Sequence, residues 1–467
     1  MKNAKTIIVQ QIDGHWAKVI GSEEQILVVW EILSYEKTVK LKWKPRPEKM
    51  TFSFLTRKGN KFPYGLVSYV TDKLIEMEYE VEIQEIDFKL KTNLLPKVKG
   101  ITFEGYQHNV LKKIGNKNKR GIIVAPTAAG KTVISAGIIS RLNIPVTLFV
   151  TINKTIFHQT IKDYEKWFPD IEIGRIGDGV CDVSHITVAL YQSLSRFDLK
   201  KYSKILELLI SDEVHSAGKS IGKILGQLNK TYYRYGLSAT PHKIKNDKQK
   251  YFEMIGNVGP IIEELEDDVV KSRVVDCDAY MVTYVCDKPE GHSYHSVFRQ
   301  DICCSEKRNN KLLKAAKMLA LDKGKSVLFL VDEISQAELV KHLAEVMGIK
   351  CKVAHGKNKT GLNEEIKSAL NDKRIKLVVA TAVFKTGMNL PSLDCLVLGS
   401  ARKSEISYMQ AIGRARRSFE GKDKAIIIDS FDIIKGNKKF HNYFTEYSEG
   451  RLELYKEKGW FRKKLLI

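Results

Sequence analysis

The segment Ala125-Pro-Thr-Ala-Ala-Gly-Lys-Thr132 follows directly on the apolar run Gly121–Ala125, and this pairing constrains the chain more than any other feature. A short continuous apolar run bounded by turn residues reads as a strand buried on both faces. The Gly-Lys-Thr after it reads as a turn that opens a helix. The first turn of a helix carries N–H groups without intrahelical partners, and the helix dipole makes that place attractive to an anion. Lys131 adds a mobile positive charge suited to the β- and γ-phosphates of a nucleotide. Thr132 adds a hydroxyl suited to Mg²⁺. Ala125 stands where the usual pattern has its first glycine, and a plain strand-to-helix turn with a buried threonine is the alternative reading of this segment alone.

A rhythm of strand, turn and helix surrounds the loop. Strands are expected at Gly121–Ala125, Val146–Thr151, Ile186–Leu190, Leu208–Ser211 and Arg234–Ser238. After a less regular linker over about 261–300 the rhythm resumes at Ser326–Val331, Cys351–Ala354, Lys376–Ala380, Asp394–Leu398 and Ala425–Asp429. Strands separated by helical stretches imply parallel sheets covered on both faces. The fold class is therefore α/β, with two tandem parallel-sheet domains at 96–262 and 263–440. Only the first carries a phosphate loop, so a nucleotide is expected between the two. Residues 1–95 alternate apolar and polar positions and read as a small α+β domain. It has a hairpin turn at Lys58-Gly-Asn60, a helix from Gly65 and a strand at Tyr79–Ile83. Its Lys40, Lys42, Trp43, Lys44 and Arg46 suit either nucleic acid or a solvated face. Residues 441–467 alternate aromatic and basic side chains and read as a closing tail.

Charge narrows the partner. The chain has 77 Lys and Arg against 55 Asp and Glu, a net +22. A surplus of that size points to an anionic polymer, whose counterions are released when Lys and Arg neutralise its phosphates; a generally basic proteome is the alternative source. Seven scattered cysteines without paired Cys-x-x-Cys spacing suit a reducing cytoplasm and speak against a structural zinc. No apolar stretch approaches the roughly 20 residues needed to span a bilayer. A cytoplasmic protein with no membrane partner is expected.

Two further segments carry chemistry. The apolar run Leu208–Ser211 ends at Asp212-Glu213-Val214-His215, placing two carboxylates at the end of a parallel strand, where open α/β sheets bind ligands. Asp212 suits Mg²⁺, and Glu213 suits the orientation of an attacking water. Ser238 and Thr240, after the next strand, could link those carboxylates to a moving segment. In Tyr408-Met-Gln-Ala-Ile-Gly-Arg-Ala-Arg-Arg417, Arg414 and Arg417 are three apart and share a helical face. Such a pair would stabilise charge building on a γ-phosphate; an ordinary basic helix is the alternative.

Taken together, Ala125–Thr132, Asp212–His215, Ser238–Thr240 and Gln410–Arg417 resemble motifs I, II, III and VI of the superfamily 2 helicases and translocases, in order and spacing. Tyr106-Gln107 resembles the adenine-reading glutamine motif, Thr151–Gln159 motif Ia, Val188–Ser193 the Ib region, Val327–Asp332 motif IV, and Val379–Pro391 motif V. The layout is most similar to phage UvsW-type branch-migration helicases, and more distantly to XPB- and RecG-like motors. The resemblance implies two RecA-like domains, ATP with Mg²⁺, and roles for matching positions. Tyr106, Gln107, Pro126, Thr127, Ala128, Ala129, Gly130, Lys131 and Thr132 would hold the nucleotide, with Gly387, Asn389 and Arg417 from the second domain. Lys131, Asp212, Glu213, Gln410, Arg414 and Arg417 would carry hydrolysis, with Mg²⁺ on Thr132 and Asp212. His215, Ser238 and Thr240 would couple hydrolysis to motion, and Lys154, Gln192 and Thr381 would grip one strand of DNA. Asn389 stands where many relatives carry Asp, and Ala128 where glycine is frequent. The implied activity is ATP-dependent remodelling of branched DNA in replication, recombination and repair: Holliday junction migration, fork regression and displacement-loop unwinding. An RNA or RNA–DNA hybrid helicase and the motor of a restriction-type complex are the alternatives. A phage-encoded chain would work in the host cytoplasm.

Overall fold

The computed structural model describes residues 6–40, 46–87, 98–115, 118–126, 129–216, 222, 224–239, 247–265, 273–359, 361–381, 390–401, 405–436 and 439–467, without the side chains of 200, 405–407, 410, 439 and 440. The chain forms two compact units, Met1–Asp267 and Asp268–Ile467.

In the first unit, β1 (Thr6–Gln11) and β2 (Trp16–Ile20) bury Ile7, Val9, Ala17 and Val19 on one face, as a period of two dictates. With β5 (Lys61–Pro63) and β6 (Glu80–Gln84) they form a sheet of order β5-β2-β1-β6, while β3 (Ser34–Val39) and β4 (Glu48–Ser53) pair as a separate ribbon. Helix α1 (Glu23–Ile32) starts at a capping box made by Ser22 and Gln25, and α2 (Val67–Glu76) buries Val67, Val70 and Leu74. The turn expected at Lys58-Gly-Asn60 has Gly59 and Asn60 at positive φ. It does not pair its flanking strands, however, because β5 joins β2 instead and buries Phe62 completely.

The core of these elements is continuous with Ile122, Val124, Val214, Phe252 and Val258 of the α/β part. A Cβ at Gly65 would lie 2.0 Å from the Ile255 carbonyl oxygen, so only glycine permits this approach. The Arg120 Nη2 donates to the Gly14 carbonyl at 2.7 Å across the same seam. The N-terminal strands are braced on the α/β part by shared burial.

That part is an eight-stranded sheet of order β10-β9-β11-β8-β12-β13-β7-β14. Its strands are β7 (Arg120–Val124), β8 (Thr147–Thr151), β9 (Ile173–Gly177), β10 (Val180–Asp182), β11 (Ile186–Leu190), β12 (Leu208–Asp212), β13 (Tyr233–Ser238) and β14 (Ile261–Glu264). All neighbours are parallel except β9 and β10. The register sets Asp212 beside Leu237 and Ser238 beside Val124, so the carboxyl ends of β12, β13 and β7 finish side by side. Three chemistry-bearing segments leave the sheet from those ends.

The second unit is a seven-stranded parallel sheet of order β17-β18-β16-β19-β20-β15-β21. Its strands are β15 (Asp276–Cys286), β16 (Val327–Leu330), β17 (Cys351–Ala354), β18 (Leu377–Ala380), β19 (Cys395–Leu398), β20 (Lys424–Ile434) and β21 (Phe461–Leu465). The region read as an irregular linker thus holds β15, paired with β20 over eleven residues. Its near-alternating burial hides it from a search for continuous apolar runs. The residues after 440 form the rest of a helix, Lys439–Glu457, and the edge strand β21. Among the described residues, no helix is long and apolar enough to cross a membrane.

Candidate functional site

The phosphate loop leaves β7 with the Ala125 N–H donating to the Ser238 carbonyl (2.8 Å), and turns where the Ala129 N–H donates to that of Pro126 (3.1 Å). Gly130 caps the next helix, α4 (Lys131–Leu142), at φ 71° and ψ 49°. A side chain in that left-handed conformation costs about 1–2 kcal/mol, so glycine is favoured here for backbone reasons alone. Thr132 lies in the first helical turn, half-buried. Thr127 and Ala128 lie outside the described residues. Behind the loop, helix α3 (Gly105–Lys113) buries Gln107, whose Nε2 donates to the Ala129 carbonyl at 3.1 Å, while its Oε1 accepts from the Glu104 N–H. The Tyr106 hydroxyl donates to the same Ala129 carbonyl, also at 3.1 Å. Both side chains, expected at the nucleotide, brace the loop in this conformation.

Lys131 Nζ reaches Glu213 Oε1 at 2.7 Å, with the two side chains 18% and 19% exposed. Glu213 sits at φ 48°, left-handed for a residue with a Cβ, which costs of the order of 1 kcal/mol and turns its carboxylate toward the loop. Asp212, at the end of β12, is 4% exposed. Burial pushes its carboxyl up to about 7, the neighbouring Glu213 charge pushes the same way, and Lys131 pulls against them. The His215 Nδ1 stands 2.7 Å from Ser238 Oγ and 3.3 Å from Glu213 Oε2, joining the ends of β12 and β13. Burial lowers this imidazole below its ordinary value, favouring the neutral ring. Thr240 lies outside the described residues.

Along the same carboxyl edge, Lys154 opens helix α5 (Lys154–Trp167), capped by Asn153, and pairs with Asp178 at 2.5 Å. Gln192 lies just beyond β11 and donates to the Ile152 carbonyl at 3.3 Å. Because β8 and β11 are adjacent, both residues follow neighbouring strand ends on this edge.

In the second unit, Thr381 directly follows β18, nearly buried, with its N–H on the Ala354 carbonyl. Arg414 and Arg417 are half-buried, at the end of the helix Glu405–Ala415 and just past it. That helix is anchored at Tyr408, whose hydroxyl donates to the Ser400 carbonyl and whose ring lies under the Arg451 guanidinium. Arg451 is held in turn by Asp429 at 2.8 Å. Arg416 donates to the Val275 carbonyl and stacks on Trp460. The arginine turn is therefore fixed by the closing helix and strand. Gly387, Asn389 and the side chain of Gln410 lie outside the described residues.

Residues 100–243 match the family described as "Type III restriction enzyme, res subunit", and residues 310–419 match the "Helicase conserved C-terminal domain". The chain belongs to the superfamily 2 helicases. It is 26% identical over 391 residues to DNA 3'-5' translocase XPB2 of Sulfurisphaera tokodaii, covering 76% of this chain and 86% of that protein. It is also 26% identical over 406 residues to the ATP-dependent DNA helicase uvsW of Enterobacteria phage T4, covering 82% and 79%. Among solved structures, S. cerevisiae Dbp5 bound to RNA and ADP BeF3 is similar in fold, with a TM-score of 0.53 at 15% identity over 78% of this chain and 89% of that one.

Two side chains to which the sequence reading gave no role support these segments, one in each unit. Thr151, the polar end of the buried strand β8, donates its hydroxyl to Asp212 Oδ2 at 3.4 Å. A threonine closing an apolar run beside the acidic strand was the available signal. Lys422 is 8% exposed and donates to the carbonyls of Ala415 (2.5 Å), Arg417 (3.1 Å) and Pro391 (3.3 Å). Its ammonium thereby ties the arginine turn to the segment after β18. Burial lowers it to about 8. Nothing in its local sequence marks it.

Proposed function

We propose that this protein is an ATP-driven motor that remodels branched DNA, migrating Holliday junctions, regressing forks and unwinding displacement loops in the cytoplasm. The observation that carries the reading is Lys131 and Glu213 in contact beside the buried Asp212 at the strand ends, in a chain matching both halves of a helicase. The two relatives named above are described as acting on DNA, and a net charge of +22 suits a polyphosphate track.

The donor set fits a metal-bound triphosphate: a glycine-opened helix N-terminus, a lysine, a first-turn threonine and a buried carboxylate. Thr132 and Asp212 would hold Mg²⁺, which supplies charge neutralisation at the transferring phosphoryl group. Pro126 to Thr132 cradle the phosphates, Lys131 binds the terminal ones, and Glu213 orients the attacking water. Glu213 can do so once Lys131 turns from it to the phosphates. The His215–Ser238 contact then transmits the rearrangement between strand ends; Thr240 would share this coupling role. The second unit contributes Arg414 and Arg417, whose guanidiniums stabilise charge building on the γ-phosphate, with Gln410, Gly387 and Asn389 as supporting contacts. Lys154, Gln192 and Thr381 hold one strand by its backbone, independent of sequence. For that, Lys154 exchanges Asp178 for a phosphate.

The test compares ATPase stimulation by four-way-junction, forked, linear duplex and single-stranded DNA, and by RNA and RNA–DNA hybrid. Branched DNA is expected to stimulate most. Strongest stimulation by RNA or hybrid would overturn the DNA assignment. A response only to linear duplex would favour the restriction-type motor that the first family's description suggests.

If the arginine turn works as described, Arg417→Ala lowers kcat with little change in the KM for ATP. Lys422→Met should do the same more mildly, by roughly 10- to 100-fold, because small misplacements of a transition-state contact are costly. Lys422→Arg, which keeps the donors, should recover part of the loss. A Lys422→Met enzyme changed only in KM would remove Lys422 from this role.

A further inference from the structure

Away from the strand ends, a cavity of about 580 Å³ opens between the N-terminal strands and the helix Lys248–Val258. That is room for one base with its sugar. Its walls are aromatic. Tyr35 and Phe52, cross-strand partners on the β3–β4 ribbon, stack with centroids 5.8 Å apart at 26°. Trp16 follows His15, their rings edge to face at 4.9 Å. Phe252 closes the helical side.

Among the polar groups that line these rings, which include Ser53 and Gln227, two are buried acceptors. Glu253 is 8% exposed, with its Oε1 accepting from Gln249 Nε2 at 2.7 Å. Asn257 spends its Nδ2 on the Glu253 carbonyl, leaving its carboxamide oxygen as an acceptor. His15 is 4% exposed, and its Nδ1 is buried without a partner. Burial, together with the charges of Arg234 and Arg120, holds this imidazole well below its ordinary value, so the ring is neutral. Acceptors between aromatic faces call for a flat ring that carries N–H donors. The two buried arginines beside His15 disfavour a cationic guest, which aromatic walls would otherwise attract.

We propose that this cavity is a binding site for a single unstacked nucleobase bearing an exocyclic amino group: adenine, cytosine or guanine in preference to thymine or uracil. The ring stacks against Tyr35, Phe52 and Trp16, and its amine donates to Glu253 and Asn257. Stacking of this kind tolerates any base, because every base has a π-face, so the choice among bases falls to the acceptors. The base comes either from a free nucleoside or from a strand opened by the motor, and the second source rests on the DNA reading above.

The probe is 2-aminopurine, whose amine satisfies the acceptors and whose fluorescence is quenched on stacking. Full-length protein is titrated against a forked DNA with one unpaired 2-aminopurine, and separately against free 2-aminopurine riboside. Saturable quenching is expected, weakened about tenfold or more by Glu253→Gln and abolished by Tyr35→Leu, with Lys131→Ala leaving it unchanged. Quenching of the riboside as strong as that of the fork would support the site with a free nucleoside as its guest. Equal competition by thymidine and deoxyadenosine would overturn the amino preference. Quenching unaltered in both cavity variants would overturn the site. Because Lys131→Ala is read by quenching and not by turnover, a failure of the cavity stays distinguishable from a failure of the ATPase assignment.

Discussion

Replacing Lys131 by alanine should lower ATP turnover by at least about 10²–10³-fold while leaving the affinity for DNA nearly unchanged. The size follows from the loss of a preorganised cation at the site of developing charge. The insensitivity of DNA binding follows from the spread of that affinity over many phosphate contacts. A second effect comes from the unliganded protein. With the ammonium 2.7 Å from Glu213 gone, Asp212 and Glu213 face each other without it. Removing one partner of a fully buried pair costs about 3–5 kcal/mol, and these side chains are 18% and 19% exposed, so the loss should be smaller but visible in a melt. Lys131→Arg keeps the charge but spreads it over a planar fork that does not match the compact ammonium, so it should restore stability more than turnover. Steady-state ATPase rates with DNA anisotropy and thermal melts check all three statements. Wild-type turnover in the alanine variant would mean that fuel is burned elsewhere.

The parallel strands were legible because they are buried on both faces: Gly121–Ala125, Ile186–Leu190 and Leu208–Ser211 read as largely apolar runs, and the structure has strands at each. The chemistry was legible for a related reason. A turn leaving a buried strand has little choice of residue, so Gly130 and the Asp212–Glu213 pair stand out against their surroundings. What escaped depends on contacts distant in sequence. Lys422 is recognisable only through the three carbonyls it meets, and Arg451 only through Asp429, 22 residues earlier. Strand β15 escaped because its partial exposure breaks the apolar run. The shared core of the N-terminal strands escaped because an alternating strand does not say which layer it packs against. Asp178, which pairs with Lys154 and His158, carried no signal in its own segment.

Asp212→Asn should yield a protein that is inactive yet more stable than wild type at neutral and alkaline pH. Burial first, and the Glu213 charge second, raise the Asp212 carboxyl from an ordinary 3.8 to about 7. A raised carboxyl contributes most to folding when both states are protonated, below about pH 4. Between there and 7 the unfolded chain ionises while the folded one resists, so stability drains away as pH rises, and above 7 the full cost is present. Three units correspond to a few kcal/mol, since each unit is about 1.4 kcal/mol. Asparagine keeps the acceptor for the Thr151 hydroxyl but cannot ionise, so it escapes that cost. The melting temperatures of variant and wild type should therefore coincide near pH 4 and diverge toward pH 8, the variant ahead by several degrees at about 2–4 °C per kcal/mol. Mg²⁺ with a non-hydrolysable ATP analogue should close part of that gap, because a cation bound at Asp212 stabilises the wild-type charge and gains little from the amide. A gap that stays constant across this range would show that Asp212 is not held in an unfavourable charge state. Parallel curves together with retained ATPase activity would remove it from the metal site as well.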